Sequence, residues 1–141
     1  MKFLLDTNVV SELHRHRTGL ASREVVTWAT SVQPADTAIS AITLFELESG
    51  VLRVERRDPA QGLGLRDWLE HALGGFAGRI LAVDDSVARR AAALHIPDPR
   101  PDRDAFIAAT ALVHGLTVVT RNVRDFAPMG VALLNPWEWV Q

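Results

Sequence analysis

Short apolar runs alternate along the chain with longer segments in which apolar residues recur every three or four positions. The runs predict five strands, at residues 2–5, 37–39, 79–83, 116–120 and 131–134. The longer segments predict the helices that connect them. Strands that alternate with helices are typical of a parallel sheet covered on both faces. The pattern therefore predicts an α/β fold, and no linker or repeat divides residues 1–141 into more than one domain.

Capping residues and chain breakers set the predicted ends of the helices. Ser22 and Ser40 are expected N-caps, and Asp84 or Asp85 is expected to cap a later helix that ends near His95. The predicted helices cover residues 7–17, 22–32, 40–57, 59–73, 85–95 and 104–114.

Composition narrows the class of protein. Hydrophobic residues make up 48% and charged residues 23% of the chain, which is ordinary for a globular protein. There is no cysteine, so disulfides and thiolate sites are excluded, and a reducing cytosol is the expected location. The apolar run before Asp6 is too short for a signal peptide, and none approaches the roughly 18 residues of a membrane span. We therefore expect a cytoplasmic protein with no membrane association.

Four acidic residues lie far apart in the chain, near the ends of predicted elements: Asp6, Glu46, Asp104 and Asp125. In an α/β domain, the carboxyl ends of neighbouring parallel strands converge on one crevice. Carboxylates crowded there repel by roughly 4 kcal/mol per pair at about 4 Å. Such a cluster needs protons or a hard cation, for which Mg²⁺ or Mn²⁺ is the natural oxygen-bound candidate. The four positions therefore predict metal-assisted hydrolysis of a phosphodiester.

Glu46 competes with Glu48 for this role. The two side chains point about 200° apart on a helix, so both cannot face one metal. Thr43, Glu46 and Gly50 share a face, and Gly50 suits the close approach of another backbone or of the site itself. We therefore predict that Glu46 faces the site and that Glu48 is a solvated surface charge.

The other acids also have alternatives. Asp6 could serve as the N-cap of the first helix as well as a ligand. Either Asp102 or Asp104 could cap the sixth helix, whose dipole favours an ionised Asp104. After the fourth strand, Thr120 and Asn122 offer neutral oxygens and Asp125 a charge, although a polar loop with an Asx-turn would have the same sequence.

Taken together, these segments resemble a known family. The chain is similar to PIN-domain ribonucleases of the VapC/FitB-like toxins of toxin–antitoxin pairs. The resemblance covers essentially the whole chain and rests on Leu5-Asp6-Thr7-Asn8, Thr43-Leu44-Phe45-Glu46-Leu47 with Gly50, residues 104–111, Val119-Thr120-Arg121-Asn122 with Asp125-Phe126, and Asn135-Pro136-Trp137. It implies a three-layer α/β/α fold with a five-stranded parallel sheet.

The resemblance also implies site roles and partners. Asp6 and Asp104 would hold Mg²⁺, with Mn²⁺ as a substitute, and Asn122 or Asp125 would complete the site. Glu46 would position the attacking water and accept its proton. The implied substrate is RNA, the implied partner a cognate antitoxin, and the implied assembly a homodimer. Candidate phosphate-binding residues are Arg53, Arg56, Arg57, Arg121 and Arg124.

Other kinds of site fit less well. A dinucleotide fold needs a glycine-rich turn after its first strand, and Asp6-Thr7-Asn8-Val9 is not one. A receiver domain would also have an Asp after its first strand. It requires a lysine near the end of a later strand, however, and the one lysine of this chain is Lys2. The serious alternative is a PIN-like module that binds RNA or protein without cleaving. We also predict the homodimer from the apolar Val51-Leu52 pair and from Leu65, Leu69 and Leu73 at four-residue spacing.

Overall fold

One parallel sheet lies at the centre of the computed structural model, which describes residues 1–140, with Arg17 described by its backbone alone. Its strands run in the order β3-β2-β1-β4-β5. The prediction of five strands is confirmed, although β2 is one residue longer and the other four are shorter than predicted: β1 (Phe3–Leu5), β2 (Thr37–Ser40), β3 (Ile80–Leu81), β4 (Thr117–Val119) and β5 (Leu133–Leu134). Gln141, the last residue of the predicted domain, lies outside the described residues.

The helices connect the strands as the polar and apolar pattern predicts. Six of the seven were predicted, and the seventh lies where a polar loop was the alternative. Their bounds are α1 (Thr7–Arg15), α2 (Arg23–Ser31), α3 (Ala41–Arg57), α4 (Pro59–Gly75), α5 (Asp85–Leu94), α6 (Asp102–His114) and α7 (Val123–Phe126). Short 3-10 turns at His16–Thr18, Pro34–Asp36, Ala127–Met129 and Pro136–Glu138 complete the described chain.

Helices cover both faces of the sheet, and the side chains of each strand alternate between them. Leu4 of β1 packs with buried residues of α5 and α6, whereas its neighbour Leu5 packs with buried residues of α1 to α4. Val118 and Val119 of β4 divide in the same way. This alternation follows from the period of two in a strand. The predicted three-layer α/β/α arrangement is therefore confirmed.

Polar side chains begin several helices as predicted. Ser22 accepts from the backbone N–H of Val25, and Ser40 accepts from that of Ile42. Asp84, not Asp85, caps α5. The predicted start of α6 was wrong, because that helix begins at Asp102 after Pro101 and no side chain caps it. The fixed φ of a proline allows a helix to begin there without a polar cap.

The antiparallel helices α3 and α4 pack closely at one glycine. A Cβ at Gly62 would lie 2.6 Å from the Cα of Glu55, so only glycine allows this approach. Leu69 is fully buried, and Leu65 and Leu73 are partly buried against the same core. The leucine stripe therefore covers the sheet, and it was wrong to count it as surplus apolar surface. Among the described residues, no helix is long and apolar enough to cross a bilayer.

Candidate active site

Asp6 ends the central strand and begins α1. Its Oδ1 accepts a hydrogen bond of 2.8 Å from the Thr7 backbone N–H, so it is the N-cap of that helix as well as a candidate ligand. Its own backbone N–H donates to the Val119 carbonyl of β4 (2.9 Å). Asp6 is 5% exposed, and burial raises the pKa of its carboxyl, although the hydrogen bonds from Thr120 and Thr7 partly oppose that rise. Strand and helix together fix this carboxylate at the edge of the sheet.

A small network of neutral groups orients the second oxygen of Asp6. The hydroxyl of Thr120, directly after β4, donates to Asp6 Oδ2 at 2.7 Å, and the amide of Asn8 donates to the same oxygen at 3.4 Å. The Thr120 oxygen in turn accepts from the Asn122 backbone N–H at 2.9 Å. Thr120 therefore acts through Asp6, and the expectation that it offers a free oxygen was wrong. Asn8, whose role the sequence did not indicate, belongs to the same network.

Glu46 reaches the site from the face of α3 that also carries Thr43. The Thr7 hydroxyl donates to Glu46 Oε1 at 2.7 Å, and Nη1 of Arg103 lies 3.7 Å from Oε2. Thr7 thus connects Glu46 to the helix that Asp6 caps. Arg103 also lies over the ring of Phe45, with 5.0 Å from its Cζ to the ring centroid. One oxygen of Glu46 therefore faces Thr7 while the other faces a cation.

Glu48 and Gly50 lie on the same helix as Glu46, and each departs from its prediction in one respect. Glu48 points away from the site, as predicted from the helix geometry, but it is not simply solvated. It pairs with Arg66 of α4, which also binds Glu55, and hydrogen bonds from Arg66 lower the pKa of Glu48. Gly50 has no atom within 4 Å of a Cβ position, so the expected close approach of another backbone was wrong.

Asp104 lies in the first turn of α6, next to open space. Burial, together with the negative charges of Asp6, Asp125 and Glu46, raises its pKa from 3.8 to about 6. Within residues 1–140, its carboxylate has no hydrogen-bond donor and no cation within 4.0 Å. Asp102 points outward, with 84% of its side chain exposed, and lies near His95. Of these two acids, Asp104 is therefore the one that faces the other carboxylates.

Asn122 and Asp125 approach the site in different ways. Asn122 precedes α7 and lines the same cavity as Asp6 and Asp104, whereas Asp125 does not line it. The charge of Asp125 nevertheless raises the pKa of Asp104. Asn122 therefore contributes polar surface to the cavity, and Asp125 contributes negative potential from α7.

The carboxylates surround an open cavity of about 480 Å³ at the carboxyl edge of the sheet. It brings together four of the five predicted site residues, Asp6, Glu46, Asp104 and Asn122, with Asp125 just outside. Of the five arginines proposed for phosphate binding, only Arg121 lines it. The remaining lining residues are Thr7, Asn8, Ser11, Glu12, Arg15 and Trp137.

Several of these lining residues were not predicted as site residues. Glu12 is a buried carboxylate at 6% exposure, and it accepts from Nη1 of Arg15 at 3.2 Å. A spacing of four residues places Ser11 on the side of Thr7 and Glu12 on the side of Asn8 along α1, so the helical period was a signal for their position. The position of Trp137 had no such signal, because it depends on how the C-terminal turn folds back.

The donor set fits a hard divalent cation. The oxygens of Asp6, Asp104 and Asn122 are the ligand type that Mg²⁺ and Mn²⁺ prefer. No group of three or more His, Cys, Asp or Glu side chains within residues 1–140 is placed to hold a metal alone. Mg²⁺ usually keeps several waters and binds through one or two carboxylates, so an open pair of aspartates suits it. The chemistry of the cavity is therefore compatible with the predicted metal.

Comparison with known proteins finds a family model and relatives that match most of the chain. The PIN domain family model matches residues 3–130. Toxin FitB of Neisseria gonorrhoeae is 40% identical over 141 residues, which cover 95% of this chain and 97% of that protein. VapC ribonuclease Y4jK of Sinorhizobium fredii is 34% identical over 144 residues, which cover 96% and 97%.

Solved structures are similar over the same length. The crystal structure of FitAcB from Neisseria gonorrhoeae superposes with a TM-score of 0.87 at 38% identity, covering 96% of this chain and 99% of that chain. The family model alone covers most of the chain, and the relatives exceed 30% identity over nearly their full length. This chain therefore belongs to the PIN domain family.

Proposed function

We propose that this protein is a metal-dependent endoribonuclease and the toxin of a toxin–antitoxin pair, acting in the cytoplasm on RNA. The observation that carries the proposal is the state of Asp104. Its carboxylate faces Asp6 across the cavity with a raised pKa and, within residues 1–140, no hydrogen-bond donor or cation partner. Two relatives named as a ribonuclease and a toxin support the choice of activity and role.

Each acid has a separate part in the proposed reaction. Asp6 and Asp104 would hold Mg²⁺, or Mn²⁺ in its place, and Asn122 on the cavity wall or Asp125 on α7 would complete the site. When bound, the metal supplies Lewis-acid stabilisation of charge on the scissile phosphate and lowers the pKa of a water. Glu46 orients the attacking water, with its own position set by the Thr7 hydroxyl.

The proton and bond changes are those of a hydrolysis. The water oxygen bonds to phosphorus, one ester P–O bond breaks, and Glu46 accepts the proton of the water. Nη1 of Arg103 lies 3.7 Å from the Glu46 carboxylate that acts as the base.

We also propose the two protein partners. A cognate antitoxin would insert a basic side chain between the carboxylates, where an Arg fork forms strong charge-assisted hydrogen bonds. The structural similarity to a toxin–antitoxin complex from Klebsiella pneumoniae supports this partner. A second copy of the chain would cover the exposed apolar side of α3, where Phe45 is 51% and Leu52 54% exposed.

RNA cleavage by the purified protein tests the activity. We expect cleavage of single-stranded RNA with Mg²⁺, none with EDTA, and none for Asp104→Asn or Asp6→Asn with the fold intact. Glu46→Gln and Glu48→Gln form a matched pair, because they lie two positions apart on α3 and only the first lines the cavity. Glu46→Gln should lose about 100-fold or more in kcat, whereas Glu48→Gln should keep its activity.

Two outcomes would contradict the proposal. RNA that stays intact with the wild-type protein and Mg²⁺, while it still binds, would favour a PIN-like module without nuclease activity. Full nuclease activity of a co-purified antitoxin complex would exclude the proposed inhibition.

A further inference from the structure

A second region of the cavity, which contains Arg15, lies along α1, away from the carboxylates of Asp6, Glu46 and Asp104. Arg15 is the last residue of this helix and lines the cavity with Glu12 one turn before it. Glu12 is almost fully buried, whereas the side chain of Arg15 is 56% exposed. A buried carboxylate is costly unless it is paired. The pair therefore holds one terminal nitrogen of the Arg15 guanidinium in place and leaves its other donors open to the cavity.

The distance between Arg15 and the carboxylates at the start of α1 suits an extended ligand. Thr7, Ser11 and Arg15 lie at four-residue spacing along the cavity side of α1. Eight residues at a helical rise of about 1.5 Å place Arg15 roughly 12 Å along the axis from the start of the helix, where Asp6 caps it. In duplex DNA each strand carries one phosphate per about 3.4 Å of helix axis, and in an extended single strand successive phosphates lie farther apart. A strand whose scissile phosphate lies at the carboxylates therefore places a different, flanking phosphate beside Arg15.

A second arginine on the cavity wall is held differently. Arg121 follows Thr120 at the end of β4, and its Cζ lies 5.2 Å from the ring centroid of Trp137. The Trp137 backbone N–H donates to Asn135 Oδ1 at 3.0 Å, and the indole packs against the core beneath α1 to α4. A guanidinium stacked on an aromatic face keeps its edge donors free for other acceptors. Among the described residues 1–140, Arg121 is thus oriented by a fixed ring and not by a counter-charge.

We infer that Arg15, anchored on Glu12, and Arg121, stacked on Trp137, bind phosphates of the RNA strand that flank the scissile phosphate. The inference rests on the proposed function and adds the positioning residues that direct the strand. The carboxylates repel a polyanion, so the cavity needs cations at its edges to hold RNA. A guanidinium donates to two phosphate oxygens side by side, which fixes the register of the strand as well as its affinity.

Measuring RNA affinity under conditions that prevent cleavage tests this inference directly. The affinity of a fluorescein-labelled single-stranded RNA oligonucleotide is measured by fluorescence anisotropy in EDTA, over a series of KCl concentrations. Arg15→Ala and Arg121→Ala should each weaken binding about fivefold, and each should reduce the slope of log K against log salt by about 0.7, the value for one lost phosphate contact on a single strand. Arg15→Lys keeps the charge and should keep the slope.

Arg90→Ala is the matched control, because Arg90 is exposed on α5 and does not line the cavity. It removes the same charge and should leave the salt slope unchanged. In cleavage assays with Mg²⁺, Arg15→Ala should raise KM with kcat within about twofold, as expected for lost substrate binding. Arg15 and Arg121 variants that match the Arg90 control in both affinity and salt slope would overturn the inference.

The test separates the two proposals. If the wild-type protein cleaves RNA and these variants bind like the control, the positioning inference fails and the nuclease stands. If the wild-type protein does not cleave RNA but the variants lose one phosphate contact each, the nuclease proposal fails and the binding site stands.

Discussion

The Thr120 hydroxyl donates a hydrogen bond of 2.7 Å to Asp6, joining two residues 114 positions apart. Both side chains are buried, and the same hydroxyl accepts from the Asn122 backbone N–H. One oxygen atom therefore sets both the direction of the Asp6 carboxylate and the start of the segment that leads into α7.

Thr120→Val should lower cleavage with only a moderate loss of stability. The substitution keeps the shape of the side chain but leaves Asp6 Oδ2 with only the long hydrogen bond from Asn8 and removes the acceptor of the Asn122 N–H, at a cost of about 1–3 kcal/mol. Thr120→Ser keeps the hydroxyl and should retain most of the activity. Thermal melts and kcat values of the two variants check this. Equal activity of the Val and Ser variants would show that Asp6 is oriented without Thr120.

The raised pKa of Asp104 predicts how its contribution to stability depends on pH. Its pKa is about 6 in the folded protein and 3.8 ordinarily, so the folded state binds the proton more tightly. Without metal, stability is therefore favoured below pH 3.8 and is lost as the pH rises through about 6. The loss at neutral pH is about 1 kcal/mol once solvent screening of this partly exposed group is included.

Asp104→Asn should remove that penalty. In EDTA at pH 7.5, the variant should melt about 2–4 °C above the wild type, and the difference should vanish at about pH 4. Mg²⁺ should raise the melting temperature of the wild type, by about 2.7 kcal/mol of stability at one hundred times its Kd, and leave the variant unchanged. Identical melting curves in EDTA at pH 7.5 would show that the carboxylates do not repel.

Gly62 and Gly64 form a matched pair on α4 for testing the α3–α4 contact. A Cβ at Gly62 would lie 2.6 Å from the Glu55 Cα and 3.0 Å from its backbone nitrogen, whereas a Cβ at Gly64 meets nothing within 4 Å. Gly62→Ala should cost about 1–3 kcal/mol, because backbone atoms must separate. Gly64→Ala should stabilise by about 0.5–1 kcal/mol, since alanine favours the helix. Urea unfolding of both variants decides whether the close approach is required.

The proposed homodimer can be tested on α3. Leu52 is 54% exposed and lines a groove with Ala41, Leu44 and Phe45. Leu52→Glu should give a monomer at micromolar concentration by light scattering, because it places a charge in an apolar contact. The control is Leu63→Glu on α4, which is 67% exposed and outside that groove. A wild-type monomer at the same concentration would contradict the dimer.

The order of strands and helices could be predicted from the sequence, because apolar residues recur with different periods in strands and in helices. The strand ends could not be predicted, since pairing decides them: β3 is a strand only where Ile80 and Leu81 pair with Ile39 and Ser40. The helix α7 has four residues, too few to show a period. Its ends depend on how the segment after β4 packs, with Phe126 fully buried.

The candidate site could be predicted from the sequence to a similar degree. Acids at element ends pointed to Asp6 and Asp104, and helix geometry separated Glu46 from Glu48. The region that contains Arg15 was missed because an Arg and a Glu three positions apart resemble an ordinary surface pair on a helix. Only the packing of α1 shows that Glu12 is buried and that Arg15 borders the cavity.

The order of the sheet has a consequence for the chain during its synthesis. The central strand β1 is made first, but its neighbour β4 ends at Val119, whose carbonyl accepts from the Asp6 N–H. Asp104 and Asn122 also lie in the last third of the chain. A ribosome must therefore release nearly the whole protein before any of these groups can meet. Truncated translation products of this gene should be harmless to the cell that makes them.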